Sequence, residues 1–328
     1  MGKLNIKKLF KVFSISSLSS FARLIRLPNL LIIALTMYLF RYGIIDSVLY
    51  FEKINLAING LDFFLLVFSV ILIAAAGYSI NDYFDLQIDR INMADNVVLG
   101  NKIPRRRAML FHAIFNILAI VIGFYVGYKA GLYKLGFIHI IITLLLWLYS
   151  VKYKSQFLSG NIIVSLLSGL VVVVVWAFEL YALKSNGEII TVSTQKINFF
   201  VLGYGLFAFM VSMIREIIKD IEDMQGDQEE GCGTMPIVIG AKKSNWVIIG
   251  LTIASVLLLV FVQVKLIQQD FLIPFLYFCV AVQIPFIYLI VKTYKAKEKE
   301  DYRYLSNLTK VIMIAGVLSM QIFSISFI

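Results

Sequence analysis

The sequence predicts an all-α, polytopic membrane protein: a bundle of nine transmembrane helices with cytoplasmic cap loops or helices. Of its 328 residues, 60% are hydrophobic and only 15% are charged, and the mean hydropathy is strongly positive. Such a composition is typical of polytopic membrane proteins and excludes a soluble protein with a single core.

Nine apolar stretches are long enough, or nearly long enough, to cross a bilayer. They cover about residues 27–42, 62–80, 108–128, 135–151, 160–183, 197–218, 244–264, 271–292 and 307–327. The first stretch is the shortest, because Pro28 and Arg41 leave few apolar residues between them. Residues 26–328 therefore form one predicted transmembrane domain.

Residues 1–25 are predicted to be a cytoplasmic amphipathic tail. This stretch is basic at its start, and the serine-rich part that follows is too polar for the core of a signal peptide. Cys232 and Cys279 lie in different segments without metal-ligand or redox spacing, so no disulfide framework is expected.

The distribution of positive charge predicts the orientation. The net charge is +10, but the basic residues are scattered between apolar spans, which argues against a nucleic-acid partner and favours anionic lipid heads and phosphorylated substrates. With the N-terminus in the cytoplasm and the C-terminus outside, only seven of the 30 Lys and Arg residues fall on the outer side: Arg41, Lys53, Lys129, Lys134, Lys184, Lys196 and Lys265. The positive-inside rule therefore predicts an integral protein of the cell (inner) membrane. No stretch points to an obligate protein partner.

Two aspartate motifs with the spacing D-x-x-D-x-x-x-D follow the second and sixth spans, on the predicted cytoplasmic side. They are Asp82, Asp85 and Asp89 in the first copy, and Asp220, Asp223 and Asp227 in the second. On a helix, positions i, i+3 and i+7 share one face, so each copy presents three carboxylates in one direction. Two such faces turned towards each other need cations between them, because neighbouring carboxylates repel.

Magnesium suits this set of oxygen ligands, because it combines one or two carboxylates with phosphate oxygens of a substrate. Asn81, directly before the first motif, is either a helix C-terminal cap or a further ligand. If a bound diphosphate belongs to an allylic isoprenoid, the ions would neutralise the leaving group, and the resulting carbocation would need a dry chamber. The 26 Phe and 17 Tyr residues offer such surroundings.

The connections that hold the motifs, about residues 81–107 and 219–243, are the longest on this side, and each is expected to continue as a helix that caps the site. Gly100 and the glycines of 231–233 are predicted to end those helices. Pro104 and Pro236 are predicted to begin the next elements.

These motifs resemble those of the UbiA-type intramembrane prenyltransferases over nearly the whole chain. The resemblance rests on Asn81-x-x-x-Asp85-x-x-x-Asp89, on Asp220-x-x-Asp223-x-x-x-Asp227, on residues 26–29 (Arg-Leu-Pro-Asn), and on Tyr149-Ser150-x-x-x-Lys154 followed by Gly160-Asn161. It implies magnesium held by both motifs, a diphosphate between them, and transfer of the prenyl group to an acceptor.

Other polar residues at the span ends are candidate substrate contacts. Lys154 and Tyr149, through the resemblance, and Asn29, a costly polar group in an apolar span, are expected at the diphosphate. Lys102 is either a diphosphate contact or a topogenic charge. Arg215 and Lys219 either pair with neighbouring acids or bind an acceptor phosphate.

Residues 215–227 look most like the branch of this family that makes digeranylgeranylglyceryl phosphate. That likeness implies geranylgeranyl diphosphate as donor and geranylgeranylglyceryl phosphate as acceptor. An aromatic acceptor, as in quinone biosynthesis, is the alternative within the same chemistry. A cation transporter is the alternative from another class, although its carboxylates should lie near the midplane of the membrane rather than at span ends.

Overall fold

The computed structural model describes residues 15–92, 98–188 and 191–327. Its α-helices are α1 Ile15–Leu24, α2 Leu27–Leu39, α3 Asp46–Tyr50, α4 Gly60–Phe84, α5 Leu86–Asn92, α6 Arg105–Lys129, α7 Phe137–Val151, α8 Ser159–Ser185, α9 Thr191–Glu222, α10 Met224–Glu229, α11 Met235–Ile239, α12 Ala241–Gln268, α13 Leu272–Tyr277, α14 Ile284–Lys295 and α15 Lys299–Phe327. Short π-helical segments, Phe40–Ile45 and Phe278–Gln283, join α2 to α3 and α13 to α14. Residues 1–14 of the predicted tail lie outside the described part.

Nine helical runs in the described ranges are long and apolar enough to span a membrane. The only strand-like pairing among the same residues is an isolated bridge between Leu99 and Ile103. Large apolar side chains cover the outside of the bundle, for example Leu202 at 69% exposure and Leu257 at 63%, as expected where the solvent is lipid. The predicted all-α, nine-span fold is confirmed.

The first span is longer than predicted, because Arg41 does not end it. The Arg41 side chain is buried, and its guanidinium lies 3.4 Å from the Glu179 carboxylate, donates to the carbonyl of Ile58 and lies 4.2 Å from the ring centroid of Phe63. A charge compensated in this way can remain inside a helix bundle. The helical run therefore continues through Arg41 to Tyr50, and the predicted end near residue 42 is wrong.

Helix α9 is central to the bundle and packs against α8, α12 and α15. Its contact with α8 depends on two small residues: a Cβ atom added to Gly169 would lie 2.6 Å from the carbonyl oxygen of Gly205. Small residues allow membrane helices to approach closely in this way. The position of α9 matters for function because it carries the second aspartate motif at its end.

The predicted helix boundaries around the motifs are confirmed in part. Gly231, with φ of 72°, follows the end of α10 as expected. Pro104 directly precedes α6, and Pro236 lies in the first turn of α11. Gly100 is different: the structure describes α5 as far as Asn92, and Gly100, with φ of 85°, belongs to a separate tight turn whose residues pack against Leu24 and Leu86. Residues 93–97, between them, lie outside the described part.

Candidate active site

The two aspartate motifs have the same backbone arrangement. In each motif the first aspartate lies in the last turn of a long helix, the second at a junction and the third in a short helix: Asp82, Asp85 and Asp89 along α4 and α5, and Asp220, Asp223 and Asp227 along α9 and α10. The two junction residues have ψ values of 1° and 4°, outside the helical range. From its spacing, each motif is expected on one straight helical face, but the helix is interrupted at the second aspartate of each motif, Asp85 or Asp223.

The two motifs meet at one end of the bundle through the side chain of Asn92. Its amide oxygen accepts from the backbone N–H of Gly226 at 3.1 Å, and its amide nitrogen donates to the carbonyl of Asp223, also at 3.1 Å. A Cβ atom on Gly226 would lie 2.6 Å from the Asn92 amide nitrogen, so only glycine fits without a shift. Helix α5 is thus joined directly to the backbone of the second motif.

In the first motif, cationic and amide groups hold the carboxylates. Arg26 pairs with Asp82 at 3.1 Å. Asp85 accepts from the Asn81 amide at 2.5 Å and from the Lys154 ammonium. Asn81 lies inside α4 rather than at its C-terminal cap, so its interpretation as a simple cap is wrong.

Arg26 is held by an unusual backbone conformation. With φ of 51° and ψ of 53° it is left-handed, directly between α1 and α2, where residues with a Cβ atom pay about 1–2 kcal/mol. Pro28 follows in the first turn of α2, so the chain turns sharply just before the first span. This turn positions the Arg26 guanidinium against the first motif.

In the second motif, each aspartate contacts a different neighbour. Asp220 accepts from the amide of Asn161, a buried residue of α8, at 2.7 Å. The Lys219 ammonium lies 3.9 Å from the Asp223 carboxylate. The Thr234 hydroxyl donates to Asp227 at 3.4 Å.

Lys154 lies in a short turn between α7 and α8 that is fixed from two sides. Gly160 packs against the turn so closely that a Cβ atom would lie 2.8 Å from the Lys154 Cα and 3.1 Å from the ring of Tyr149. The backbone N–H of Gly233, in the loop after α10, donates to the carbonyl of Ser155 at 2.8 Å. The turn therefore connects the Lys154–Asp85 pair to the loop of the second motif.

The remaining predicted contacts differ in their surroundings. The Asn29 amide donates to the Tyr78 hydroxyl at 3.4 Å, one turn before the first motif. Arg215 pairs with Glu216 at 2.9 Å. The Lys102 side chain is exposed and has no hydrogen bond or ion pair with the described residues, so the structure does not bring it to the carboxylates.

Burial and mutual repulsion shape the electrostatics of the carboxylates that lie beyond the spans. Burial, together with the charges of Asp82 and Asp85, raises the pKa of Asp89 to about 7. Burial, with the charges of Asp223 and Asp85, raises the pKa of Asp227 to about 6. The carboxylates of the two motifs therefore act on each other, and full ionisation of the whole set needs further positive charge.

The donor set fits magnesium. Carboxylate and amide oxygens are hard ligands of the kind that magnesium prefers, and the side-chain oxygen of Asn81 is buried without a hydrogen-bond partner. No three His, Cys, Asp or Glu side chains of the described ranges already surround one point.

Three residues that sequence reasoning did not place in the site belong to it: Arg26, Asn92 and Asn161. Arg26 and Asn161 lie inside the short motifs of the family resemblance, so the signal was present. Asn92 has no such signal, because its role depends on the backbone of α10, more than a hundred positions away.

A cavity of about 540 Å³ lies in the other half of the bundle. Aromatic side chains line much of it, including Phe200, Tyr204, Phe207 and Phe278. Phe207 and Asp220 are about 20 Å apart along α9, given the helical rise of 1.5 Å per residue. None of the predicted site residues lines this cavity.

The family model of the UbiA prenyltransferase family matches residues 30–309. This chain belongs to the UbiA prenyltransferase family. It is therefore an integral membrane prenyltransferase, and the cation-transporter alternative is wrong. The match covers both aspartate motifs, the Lys154 turn and all but the ends of the bundle.

Several relatives of this chain carry the name digeranylgeranylglyceryl phosphate synthase. The protein from Methanosphaera stadtmanae is 31% identical over 76% of this chain and 83% of its own length. The one from Methanothermobacter thermautotrophicus is 35% identical over 56% of this chain and 59% of its own length.

Solved structures share the fold. A digeranylgeranylglyceryl phosphate synthase structure matches with a TM-score of 0.65 and 28% identity, over 95% of this chain and 99% of the other. A UbiA homologue from Archaeoglobus fulgidus bound to GPP and Mg²⁺ matches with a TM-score of 0.55 and 15% identity, over 92% and 99%. The second similarity is one of fold alone.

Proposed function

We propose that this UbiA-family enzyme transfers a geranylgeranyl group from geranylgeranyl diphosphate to geranylgeranylglyceryl phosphate, forming an ether lipid, with magnesium as cofactor. The observation that carries the proposal is the contact between the two motifs through Asn92, which brings the acidic side chains together at one end of the bundle. The named relatives support this acceptor, and the fold neighbour with GPP and Mg²⁺ supports the donor class and the ion.

The reaction is a substitution at the allylic carbon of the donor. The carbon–oxygen bond to the diphosphate breaks, the hydroxyl oxygen of the acceptor bonds to that carbon, and the hydroxyl proton passes to an oxygen of the released diphosphate. Arg26 and Lys154, which pair with Asp82 and Asp85, would turn to the departing diphosphate and offset its negative charge.

The six motif aspartates, with Asn81, would hold the magnesium. When bound, it supplies positive charge that stabilises the diphosphate as a leaving group. Asn161 orients Asp220 through its 2.7 Å hydrogen bond, and Asn92 keeps the two short helices together. Tyr149 and Asn29 complete the proposed diphosphate site, while Lys102 is the least supported of its proposed members because its side chain is solvent-exposed.

Arg215 and Lys219 are the proposed contacts of the acceptor phosphate. Both lie on α9, one helical turn apart, and both are partly buried. An aromatic acceptor carries no such phosphate, and these two cations therefore favour the phosphorylated lipid.

We further propose that both motifs face the cytoplasm, with the N-terminus inside and the C-terminus outside. Positive charge is concentrated at the motif end of the bundle, in agreement with the positive-inside rule. Residues 1–25 are proposed to lie on that side as an amphipathic tail, ahead of a single domain of residues 26–328.

The test is a product assay with purified protein, isotope-labelled geranylgeranyl diphosphate, Mg²⁺, and either geranylgeranylglyceryl phosphate or an aromatic acceptor. Mass spectrometry should detect labelled ether lipid. Asp85→Asn and Asp223→Asn should each lower kcat by about 10²–10³-fold, the loss typical of removing one group that stabilises developing charge. Glu229→Gln is the matched control, because Glu229 is an exposed acid of α10 outside the motif.

Labelled aromatic product without ether lipid would reverse the acceptor assignment. Equal losses for Glu229→Gln and Asp223→Asn would mean that the substitutions act through α10 as a whole rather than through the motif.

A further inference from the structure

A lysine of α15 that no sequence motif marked lies beside the proposed acceptor site. Helices α9 and α15 are antiparallel, and two contacts fix their register. Arg303 pairs with Glu222 at 3.2 Å at the end of the bundle that holds the motifs. Deeper in the bundle, the Tyr204 and Ser319 hydroxyls lie 2.8 Å apart. Two helical turns inward from the Glu222–Arg303 pair, the register places Lys310 opposite Arg215.

The charges around Lys310 are predominantly positive. Lys310 is half-buried, and the positive charges of Arg215, Lys219 and Arg26 act on it, against the single negative charge of Glu222. Glu222 already pairs with Arg303. Among the residues that the structure describes, the Lys310 ammonium has no ion-pair or hydrogen-bond partner.

The nearby acids pair with other cations and leave Lys310 without a partner among the described residues. Glu216 pairs with Arg215, and Asp223 is 3.9 Å from Lys219 and belongs to the second motif. The Arg215 Nε atom is buried and has no hydrogen-bond partner. Cationic side chains that face each other between membrane helices destabilise the protein unless an anion lies between them. Together, an unpaired lysine and an unsatisfied guanidinium N–H suit an anion with several acceptor oxygens.

We propose that Lys310, together with Arg215 and Lys219, binds the phosphate monoester of the acceptor lipid. This inference rests on the proposed function and adds to it the α15 side of the acceptor site. The donor diphosphate is assigned to the motifs, Lys154 and Arg26. Arg215, which lies opposite Lys310, is about 140° around α9 from Asp220, the partner of Asn161, so this cluster would serve a second anion. The phosphate, held here, places the acceptor hydroxyl beside the donor's allylic carbon.

The first experiment compares steady-state kinetics of Lys310→Gln, Lys310→Arg and wild type, with geranylgeranylglyceryl phosphate and with the same lipid lacking its phosphate. Loss of one charge-assisted hydrogen bond predicts a rise of about 10- to 100-fold in KM for the phosphorylated acceptor. The KM for the donor and the activity with the dephosphorylated lipid should stay unchanged, and Lys310→Arg should recover most of the loss. Lys243→Gln is the control, an exposed lysine at the start of α12 on the same side of the membrane.

The second experiment needs no variant. A phosphorylated acceptor analogue with a photoreactive group next to its phosphate should label α15 near Lys310 in the wild-type protein, and excess unlabelled acceptor should prevent the labelling. Labelling elsewhere overturns the inference, even if Lys310→Gln fails to fold.

The outcomes separate this inference from the proposed function. Wild type that makes ether lipid, with an unchanged acceptor KM in Lys310→Gln, refutes the role of Lys310 and leaves the function standing. A rise in the donor KM instead assigns Lys310 to the diphosphate and also overturns the inference. Wild type that prenylates only an aromatic acceptor refutes the proposed function itself.

Discussion

Arg41 and Glu179 form a buried ion pair at the end of the bundle opposite the motifs, and each has about 1% of its side chain exposed. Glu179 also accepts from the backbone N–H groups of Ala57 and Ile58, at 2.5 and 3.2 Å. The pair therefore fastens the loop between α3 and α4 to α8. Removing one member of a buried pair leaves an uncompensated charge.

We expect Glu179→Gln and Arg41→Met each to destabilise the protein by about 3–5 kcal/mol, measured by unfolding in detergent. The double variant Arg41→Met/Glu179→Gln should be more stable than either single variant, because no lone charge remains. Lys134→Met is the control, since Lys134 is an exposed cation at the same end. Independent, additive losses in the double variant would contradict a direct pairing.

At the scale of single residues, the sequence identifies candidate functional side chains when they are chemically unusual among their neighbours in the chain. The six aspartates of the two motifs stand out because they follow apolar runs, and the structure brings the two motifs to the same end of the bundle. The sequence predicts Arg41 at a span end, because its partner, Glu179, lies far along the chain. No sequence pattern marks Lys310, because its surroundings depend on the register between α9 and α15.

At the scale of elements, the contact of α5 with α10 depends on a glycine. A Cβ atom on Gly226 would collide with the Asn92 side chain at 2.6 Å, and separating the short helices would also break two hydrogen bonds. We expect Gly226→Ala to lower kcat/KM by about tenfold, the effect of losing one to two net hydrogen bonds at about 1 kcal/mol each.

A double-mutant cycle with Asn92→Ala tests this contact. Since Asn92→Ala removes the colliding amide, the double variant should lose less kcat/KM than the two single losses predict. Gly233→Ala is the control, because a Cβ atom there would lie 3.7 Å from its nearest neighbour, the Ser155 carbonyl oxygen. Additive losses would show that Gly226 and Asn92 do not act through one contact.

The sequence predicts helices well where the length of an apolar stretch determines them. It predicts them less well where tertiary contacts determine the bends and ends of a helix. All nine spans follow from composition, and the continuation of the chain as α5 and α10 follows from the spacing of the motifs. The bends at Asp85 and Asp223 do not, because three carboxylates at helical spacing are compatible with a straight helix. Gly100 is a local stop signal in the sequence, but the structure places it in a separate turn, because Val98 and Ile103 pack against Leu24 and Leu86.

For the whole molecule, the distribution of Lys and Arg residues between the two ends of the spans predicts the orientation in the membrane. Single cysteines can test it after Cys232 and Cys279 are replaced by serine. A membrane-impermeant maleimide applied to intact cells should label Glu188→Cys, in the loop after α8, and should label Glu229→Cys, in α10, only after permeabilisation. Both side chains are exposed, so access differs only through the membrane. The reverse pattern would place the motifs outside.

The fit between Asn92 and Gly226 also constrains how the sequence can change over evolutionary time. A side chain at position 226 is accommodated better after the residue at position 92 has become smaller, whereas in the opposite order the Asn92 side chain has to shift away from the new Cβ atom. The effects of substitutions at these two positions, 134 residues apart, are therefore expected to depend on each other.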